Sequence, residues 1–334
     1  MNLKKKRAAQ VLELAAQSNI VVIGDMMLDQ FIWGDVNRIS PEAPVPVVDF
    51  VRESFMPGGA ANVARNLAEL GVKTSLLGAV GKDEWGRHLK TLLAGQNVDC
   101  SGLVELRHRP TSVKTRVVAH QQQLVRIDRE SRGSLDDPSI AALLSEIRDK
   151  IAQIDAIIVC DYGKGVVTQS LLDGLKGICR ESATWLSLDP KPVHRLELTG
   201  LSLITPNRKE AFELAGIPDS ERNCDPLKDD RLMEVAESLL EKLNPALLLI
   251  TLGDLGMLLC QRKQKPFHIP TVAQEVFDVS GAGDTVIASF TMAIAAGASP
   301  VEAAIISNHA AGVVVGKVGT ATVQPAELLA SLKS

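Results

Sequence analysis

Short runs rich in Val, Ile and Leu recur at Ile20–Ile23, Ser75–Val80, Ala156–Cys160, Trp185–Leu188, Ser202–Ile204 and Leu247–Leu252. Most are followed by a segment of helical period: Ala60–Leu70, Glu84–Leu93, Pro138–Ile151, Gln169–Arg180, Arg208–Ala215, Leu232–Leu243 and Ala282–Ala296. Continuous apolar runs alternating with amphipathic stretches leave few choices. The expected fold class is α/β, a central and mostly parallel sheet with helices on both faces. No repeat period or low-complexity tract interrupts the pattern, so residues 1–334 read as a single main domain.

Two stretches break the alternation. Gln30–Val51 places Val45, Val47 and Phe50 among prolines, and Ser112–Ile127 alternates polar and apolar residues. Both read as antiparallel strands outside the main sheet: either a small β lid, about residues 30–51 and 112–127, over the strand ends where open α/β sheets bind ligands, or edge extensions without a binding role.

Aromatic residues make up 3% of the chain and the formal charge is −4, which argues against stacking platforms and phosphate-tracking surfaces, hence against nucleic acid as a partner. The five cysteines are scattered without a CxxC pair, so neither a disulfide framework nor a zinc site is expected and a reducing cytoplasm fits best. Lys4–Arg7 opens no apolar signal core, and the uncharged stretch 285–301 is broken by Gly297 and Pro300, so a buried helix is expected there rather than a membrane span.

Chemistry is densest at Asp278-Val279-Ser280-Gly281-Ala282-Gly283-Asp284, which opens the uncharged helix. Gly281, Ala282 and Gly283 at a helix start present backbone N–H groups where the helix dipole is positive, an anion hole suited to phosphate. Asp284 beside it is placed to take the proton of an attacking hydroxyl. A glycine turn followed by a favourable first-turn carboxylate would give the same letters. The second glycine segment, Gly58-Gly59-Ala60-Ala61-Asn62-Val63-Ala64, leads into an alanine-faced helix; Asn62 offers a donor and an acceptor to sugar hydroxyls, though plain helix packing also accounts for the pattern.

Together, 220 residues apart and in this order, the two segments resemble the signatures of the ribokinase or phosphofructokinase-B family of sugar kinases. Gly58, Gly59, Ala60, Asn62, Ala64, Gly71 and Gly81 match the first, and Asp278 through Ala288 the second, with Ser289 departing where the family prefers Ala or Gly. The resemblance implies a ribokinase-like fold, ATP and Mg²⁺ as cofactors, and Asp284 as the catalytic base. It also gives meaning to Asn207-Arg208-Lys209-Glu210, similar to the family's NxxE element, whose Asn and Glu place magnesium through water and the phosphates, although Asn-x-x-Glu is equally a helix capping box. Thr251, Gly253 and Gly256 resemble the loop bordering the nucleotide phosphates. Lys191 is a candidate for ATP phosphate, Asn308 for the adenine or ribose side, and Asp278 for a monovalent cation (K⁺) site of the kind some members possess.

Gly24-Asp25-Met26-Met27-Leu28-Asp29 and Asn37–Pro46 resemble, more narrowly, the branch that phosphorylates D-glycero-β-D-manno-heptose 7-phosphate at its anomeric hydroxyl, in ADP-heptose and lipopolysaccharide precursor synthesis. Asp25 and Asp29 suit sugar hydroxyls, and a 7-phosphate calls for a cation clamp drawn from Arg38, Lys114, Arg116, Arg126 and Lys164, each of which alone also suits an ordinary ion pair. Many relatives carry an adenylyltransferase on the same polypeptide. No histidine here forms its HxGH-type motif, so a kinase without a nucleotidyltransferase domain is expected, with a separate adenylyltransferase or a longer native chain supplying that step. A homodimer is expected because extra strands leave free edges. A kinase for another sugar or sugar phosphate, and a silent sugar- or nucleotide-sensing module, are the alternatives.

Overall fold

The computed structural model of the chain describes residues 3–120, 122–193, 196–220, 222–273 and 275–332. Its strands are β1 (Asn19–Gly24), β2 (Met26–Ile39), β3 (Pro46–Gly59), β4 (Lys73–Gly81), β5 (Val98–Asp99), β6 (Leu103–Leu106), β7 (Val113–Ala119), β8 (Gln122–Arg129), β9 (Ala156–Cys160), β10 (Trp185–Asp189), β11 (Leu203–Ile204), β12 (Leu247–Thr251), β13 (Met257–Cys260) and β14 (Phe267–Ile269). The main sheet runs in the order β14-β13-β12-β11-β10-β9-β1-β4-β5, with β6 also paired to β4. From β12 to β5 every pairing is parallel; β13 and β14 are antiparallel additions at one edge. This is the α/β class expected, with an antiparallel edge that the sequence pattern did not announce.

Alternation within strands explains the two-sided core. Ile20, Val22, Ala156 and Ile158 face one apolar cluster with helices Ala60–Glu69, Ala282–Ala295 and Pro300–Val314, while Val21, Ile23, Ile157 and Val159 face the other with helices Asp137–Lys150, Gln169–Ser182 and Asp230–Lys242. Helix Ala282–Ala295 is buried over most of its length, as its lack of charge requires. Among the described residues no helix is long and apolar enough to cross a membrane.

The two stretches that broke the alternation belong to a second, four-stranded sheet, ordered β3-β2-β7-β8. β2 and β3 form one antiparallel pair and β7 and β8 another, but the two pairs join through parallel pairing of β2 with β7 from Leu28↔Val113 to Gly34↔Ala119. This seam lets residues 28–34 and 113–119 share one surface beside the strand ends of the main sheet.

One ion pair ties the first helix to the far end of the chain. Arg7 Nε lies 2.8 Å from Glu302 Oε1, and Glu302 Oε2 accepts the Ser299 N–H in a capping box, which together hold the Glu302 carboxyl down at about 2. Since an unfolded Glu titrates near ~4.3, this stabilisation is present above that pH and is lost as pH falls towards 2. Glu302→Gln should cost about 1–2 kcal/mol at pH 7, less than the full linkage value because the pair is partly solvated. Denaturant melts of both proteins from pH 7 down to pH 3 should show the gap narrowing.

Candidate active site

The strand order reverses about β1, with β4 reached on one side and β9 on the other, and open α/β sheets bind ligands outside the carboxyl ends of strands at such a point. Gly24 ends β1 at φ 155°, with no room for a Cβ against the Cys160 carbonyl. The next residue, Asp25, is 1% exposed. Its Oδ2 accepts the N–H groups of Tyr162 (3.0 Å) and Lys164 (2.9 Å), and its Oδ1 that of Val166 (2.9 Å). Asp25, expected among the sugar ligands, holds loop 161–166, because a turn that exposes three N–H groups to one side needs a buried acceptor. Its carbonyl also accepts the Ala60 N–H, joining β1 to the start of helix Ala60–Glu69.

Asp284 lies in the first turn of helix Ala282–Ala295. That helix begins at Gly281, whose φ of 78° and closeness to Asn62, 2.6 Å from where a Cβ would stand, exclude a larger residue. Asp284 is 7% exposed, and its Oδ2 accepts the Asn62 amide at 2.7 Å while its Oδ1 accepts the Tyr162 hydroxyl. Burial pushes its carboxyl up from the ordinary range and the Asp29 charge adds to that; the donors Tyr162 and Asn62, and the Arg65 cation, pull it back. Asn62, expected as a ligand for sugar hydroxyls, is fully buried with its amide donating to Asp284. Gly283 faces open space, and the N–H groups of a helix's first turn lack intrahelical acceptors, so this end of the helix is available to an anion.

Beyond Gly283 lies a cavity of about 340 Å³ whose lining includes Thr251, Gly253, Gly256, Val279, Asn308 and Val315. Its walls are mostly apolar, as a nucleobase requires. Asn308 reaches this wall with its amide donating to the Pro270 carbonyl at 2.8 Å.

The sequence pattern of the pfkB family carbohydrate kinases matches residues 17–327. The chain belongs to this family. It is accordingly an ATP-dependent sugar kinase. Similar curated proteins include the bifunctional protein HldE of Desulfatibacillum aliphaticivorans, 43% identical over 96% of this chain and 64% of its own length, and that of Geobacter sulfurreducens, 43% identical over 99% and 66%. The chain thus spans a little under two thirds of the length of these relatives. Among solved structures, ribokinase of Arabidopsis thaliana complexed with ribose and ATP superposes with a TM-score of 0.74 at 20% identity, covering 95% of this chain and 99% of that one; phosphofructokinase-2 of Escherichia coli in complex with potassium gives 0.76 at 20% identity over 94% and 99%.

In this pfkB-family kinase the Asn207-x-x-Glu210 element is also a complete capping box: Asn207 Oδ1 accepts the Glu210 N–H and Glu210 Oε2 accepts the Asn207 N–H, both at 3.0 Å. Glu210 Oε1 meets Lys191 Nζ at 2.8 Å. The two intervening residues, named with them as nucleotide ligands, point elsewhere, since neighbours on a helix face different ways. Arg208 is held by Asp219 and Asp229 and stacks over Phe212, while Lys209, with its side chain 83% exposed, sits 3.8 Å from Glu213.

Among the described residues no group of three or more His, Cys, Asp or Glu forms a metal cage. The site fits magnesium of the kind that keeps its waters and leans on one or two carboxylates plus substrate phosphates. Asp189, at the end of β10, has its carboxyl pushed well above the usual range by burial and by the charges of Glu210 and Asp284, a crowding of anions that a cation would relieve. Asp278, the K⁺ candidate, accepts the Ser280 N–H at Oδ1 and the Gly319 N–H at Oδ2, so its carboxylate closes a loop.

The sugar-side residues gather on the second sheet. Asp29 pairs with Arg116, which also stacks over Phe31, and a Cβ on Gly58 would strike the Asp29 carboxylate. Gly59, at φ 60°, caps helix Ala60–Glu69. Lys114 reaches Asp128 (3.2 Å) and Glu130 (3.8 Å), Arg126 meets Asp128 (2.8 Å) and Lys164 meets Glu130 (2.5 Å), so three of the five expected cations share two carboxylates. Arg38, its side chain 65% exposed near the outer end of β2, comes within 3.9 Å of Asp49 and, among the described residues, does not join that group. Tyr162 went unnoticed in the sequence, although its place just after the apolar run Ala156–Cys160, at a carboxyl strand end, was a usable signal.

Proposed function

We propose that the chain transfers the γ-phosphoryl group of ATP to the anomeric hydroxyl of D-glycero-β-D-manno-heptose 7-phosphate. One observation carries this reading: a buried carboxylate, Asp284, stands at a helix N-terminus between an apolar cavity of about 340 Å³ and a sheet face bearing Asp29 and paired cations. The cavity takes the nucleobase, and the N–H groups from Gly281 to Gly283 take the charge that gathers on the transferred group. Asp284 removes the proton of the anomeric hydroxyl as that oxygen bonds to the γ-phosphorus; the bond to the bridging oxygen breaks and its electron pair leaves with ADP. Asn207 and Glu210 would hold magnesium through its waters, and the ion would supply charge neutralisation on the phosphates. Asp29 accepts from sugar hydroxyls, and the 7-phosphate displaces a carboxylate from the Lys114, Arg126 and Lys164 group. The resemblance at residues 24–29 and 37–46 supports heptose. A K⁺ requirement at Asp278, and a second copy covering the exposed apolar residues Phe50, Val125 and Ile127 of the second sheet, belong to the same reading.

Because the cations are already matched by Asp128 and Glu130, a kinase for an unphosphorylated sugar is the second reading. ADP release measured across heptose, hexose and pentose phosphates and the free sugars decides between them; a preference for free sugar would overturn the first.

Glu210→Gln should cost about 1 kcal/mol through the weakened cap and raise the Mg²⁺ concentration for half-maximal rate severalfold. A thermal melt and a Mg²⁺ titration check the two effects separately. An unchanged titration beside a lowered melting temperature would leave Glu210 as a cap alone.

A further inference from the structure

Tyr162 is the single tyrosine of the chain, and its hydroxyl donates to Asp284 Oδ1 from a loop that is anchored independently of that residue. We propose that Tyr162 is the positioning residue of the catalytic base: its phenol fixes the rotation of the Asp284 carboxylate and keeps it ionised. The proposal rests on the reading of Asp284 as base and adds to it the group that makes a buried carboxylate usable.

Three observations support it. The first is the anchoring. The Tyr162 N–H donates to Asp25 Oδ2 at 3.0 Å, the same carboxylate takes the N–H groups of Lys164 and Val166, and the Arg109 guanidinium donates to the carbonyls of Lys164 and Gly133. The phenol is therefore presented by a loop tied to β1 and to residues 109 and 133, rather than by Asp284 itself.

The second is the geometry at the carboxylate. Asn62 from helix Ala60–Glu69 holds Oδ2 and Tyr162 holds Oδ1, so the carboxylate is gripped at both ends and cannot turn about its Cβ–Cγ bond without breaking a buried hydrogen bond. Each oxygen retains a second lone pair for an incoming hydroxyl.

The third is the charge around the pair. Asp284 faces Asp29 from β2 and Arg65 from helix Ala60–Glu69, and the pair is also close to Cys160 of β9 and Asp189 of β10, with Glu210 and Lys191 beyond Asp189. Anions outnumber cations in this shell, and burial, helped by the Asp29 charge, pushes the Asp284 carboxyl up; the hydrogen bonds to its ionised form, from Tyr162 first, and the Arg65 cation oppose that. Burial and the charges of Asp284 and Asp189 push the Tyr162 phenol well above its ordinary range, so it remains a donor wherever the enzyme works and does not compete as a base.

Tyr162→Phe removes only the hydroxyl. The acid limb of the kcat profile should then move up by about one to two pH units, the equivalent of one hydrogen bond to a charged group, while the KM for ATP stays within about twofold. The lost rate should return as pH rises past the new limb. Because Tyr162 is the only tyrosine, growth on 3-fluorotyrosine labels this position alone. Fluorination makes the phenol a stronger donor, so the limb of the labelled protein should move down, and this arm remains informative if the Phe variant folds poorly. A limb that stays put in the fluorinated protein, or a Phe variant whose loss is the same at every pH, overturns the proposal. Asp284→Asn run alongside separates the two ideas: an inactive Asn variant beside an unmoved limb sinks only the Tyr162 role, whereas an Asn variant within tenfold of the parent sinks the base itself.

Discussion

Asp284→Asn is expected to lower kcat by about 10²–10⁴, the usual contribution of a positioned general base, with KM for ATP and sugar little changed. The amide keeps the volume of the carboxylate but cannot take the hydroxyl proton. It also meets two donors, the Asn62 amide and the Tyr162 phenol, with only one accepting atom, so one of these hydrogen bonds must be lost or turned. Against that loss stands the removal of a buried charge. The Asp284 carboxyl titrates above its unfolded value, which means that ionising it weakens the fold as pH rises from the ordinary carboxylate range through the raised value. The variant is relieved of this penalty at neutral pH, so its melting temperature should not fall in step with its activity. Steady-state ADP release together with a thermal melt at pH 7 checks both parts. Turnover within tenfold of the parent would remove Asp284 from the chemistry.

That prediction concerns a residue legible in the sequence, and the reason is local. Gly281, Gly283 and Asp284 lie within four positions, so chain connectivity alone brings them together at a helix start. The parallel strands were legible for a similar reason: buried on both faces, β1, β9 and β12 read as unbroken apolar runs. The edge strands β13 and β14, of four and three residues, are too short to carry a period, and nothing in the alternation of β2 and β7 states that they pair in parallel. The partners of other site residues were not legible, because tertiary contacts decide them. Asp25 and Asn62 look like ligands because they are polar residues at ligand-facing ends, yet a loop of amides claims the one and Asp284 claims the other. Arg208 and Lys209 were drawn in by a four-residue motif whose middle members the helix turns away from Asn207 and Glu210, Arg208 onto Phe212 and Lys209 into solvent. Tyr162 belongs to no period and no spacing pattern; its meaning comes entirely from Asp284, 122 residues away.

Lys164→Met should weaken selection of a 7-phosphorylated sugar by about 1.5–3 kcal/mol, the usual net contribution of a hydrogen bond to a charged group, and leave an unphosphorylated sugar nearly unaffected. Lys164 is favoured over the other cations by its position, two residues from Tyr162 on the loop held by Asp25, so an anion bound there is set in register with the base. Glu130 now occupies Lys164 and lies 3.8 Å from Lys114, and these lysines help hold its carboxyl below the usual range. It is therefore a competitor for the same charges that a sugar phosphate would use. Glu130→Gln should act in the opposite direction to Lys164→Met, strengthening phosphorylated substrates by freeing Lys164, while Lys114 keeps its pairing with Asp128 at 3.2 Å, because removing the resident anion removes what the incoming one must displace. Arg38→Met serves as the contrast: solvated and 3.9 Å from Asp49, it should change kcat/KM by less than about threefold for either sugar. Measuring kcat/KM for the three variants with heptose 7-phosphate and with a free sugar tests the assignment. Equal losses on both sugars for Lys164→Met would mean damage to the loop rather than to a phosphate site, and a larger loss for Arg38→Met than for Lys164→Met would move the clamp to the outer end of β2.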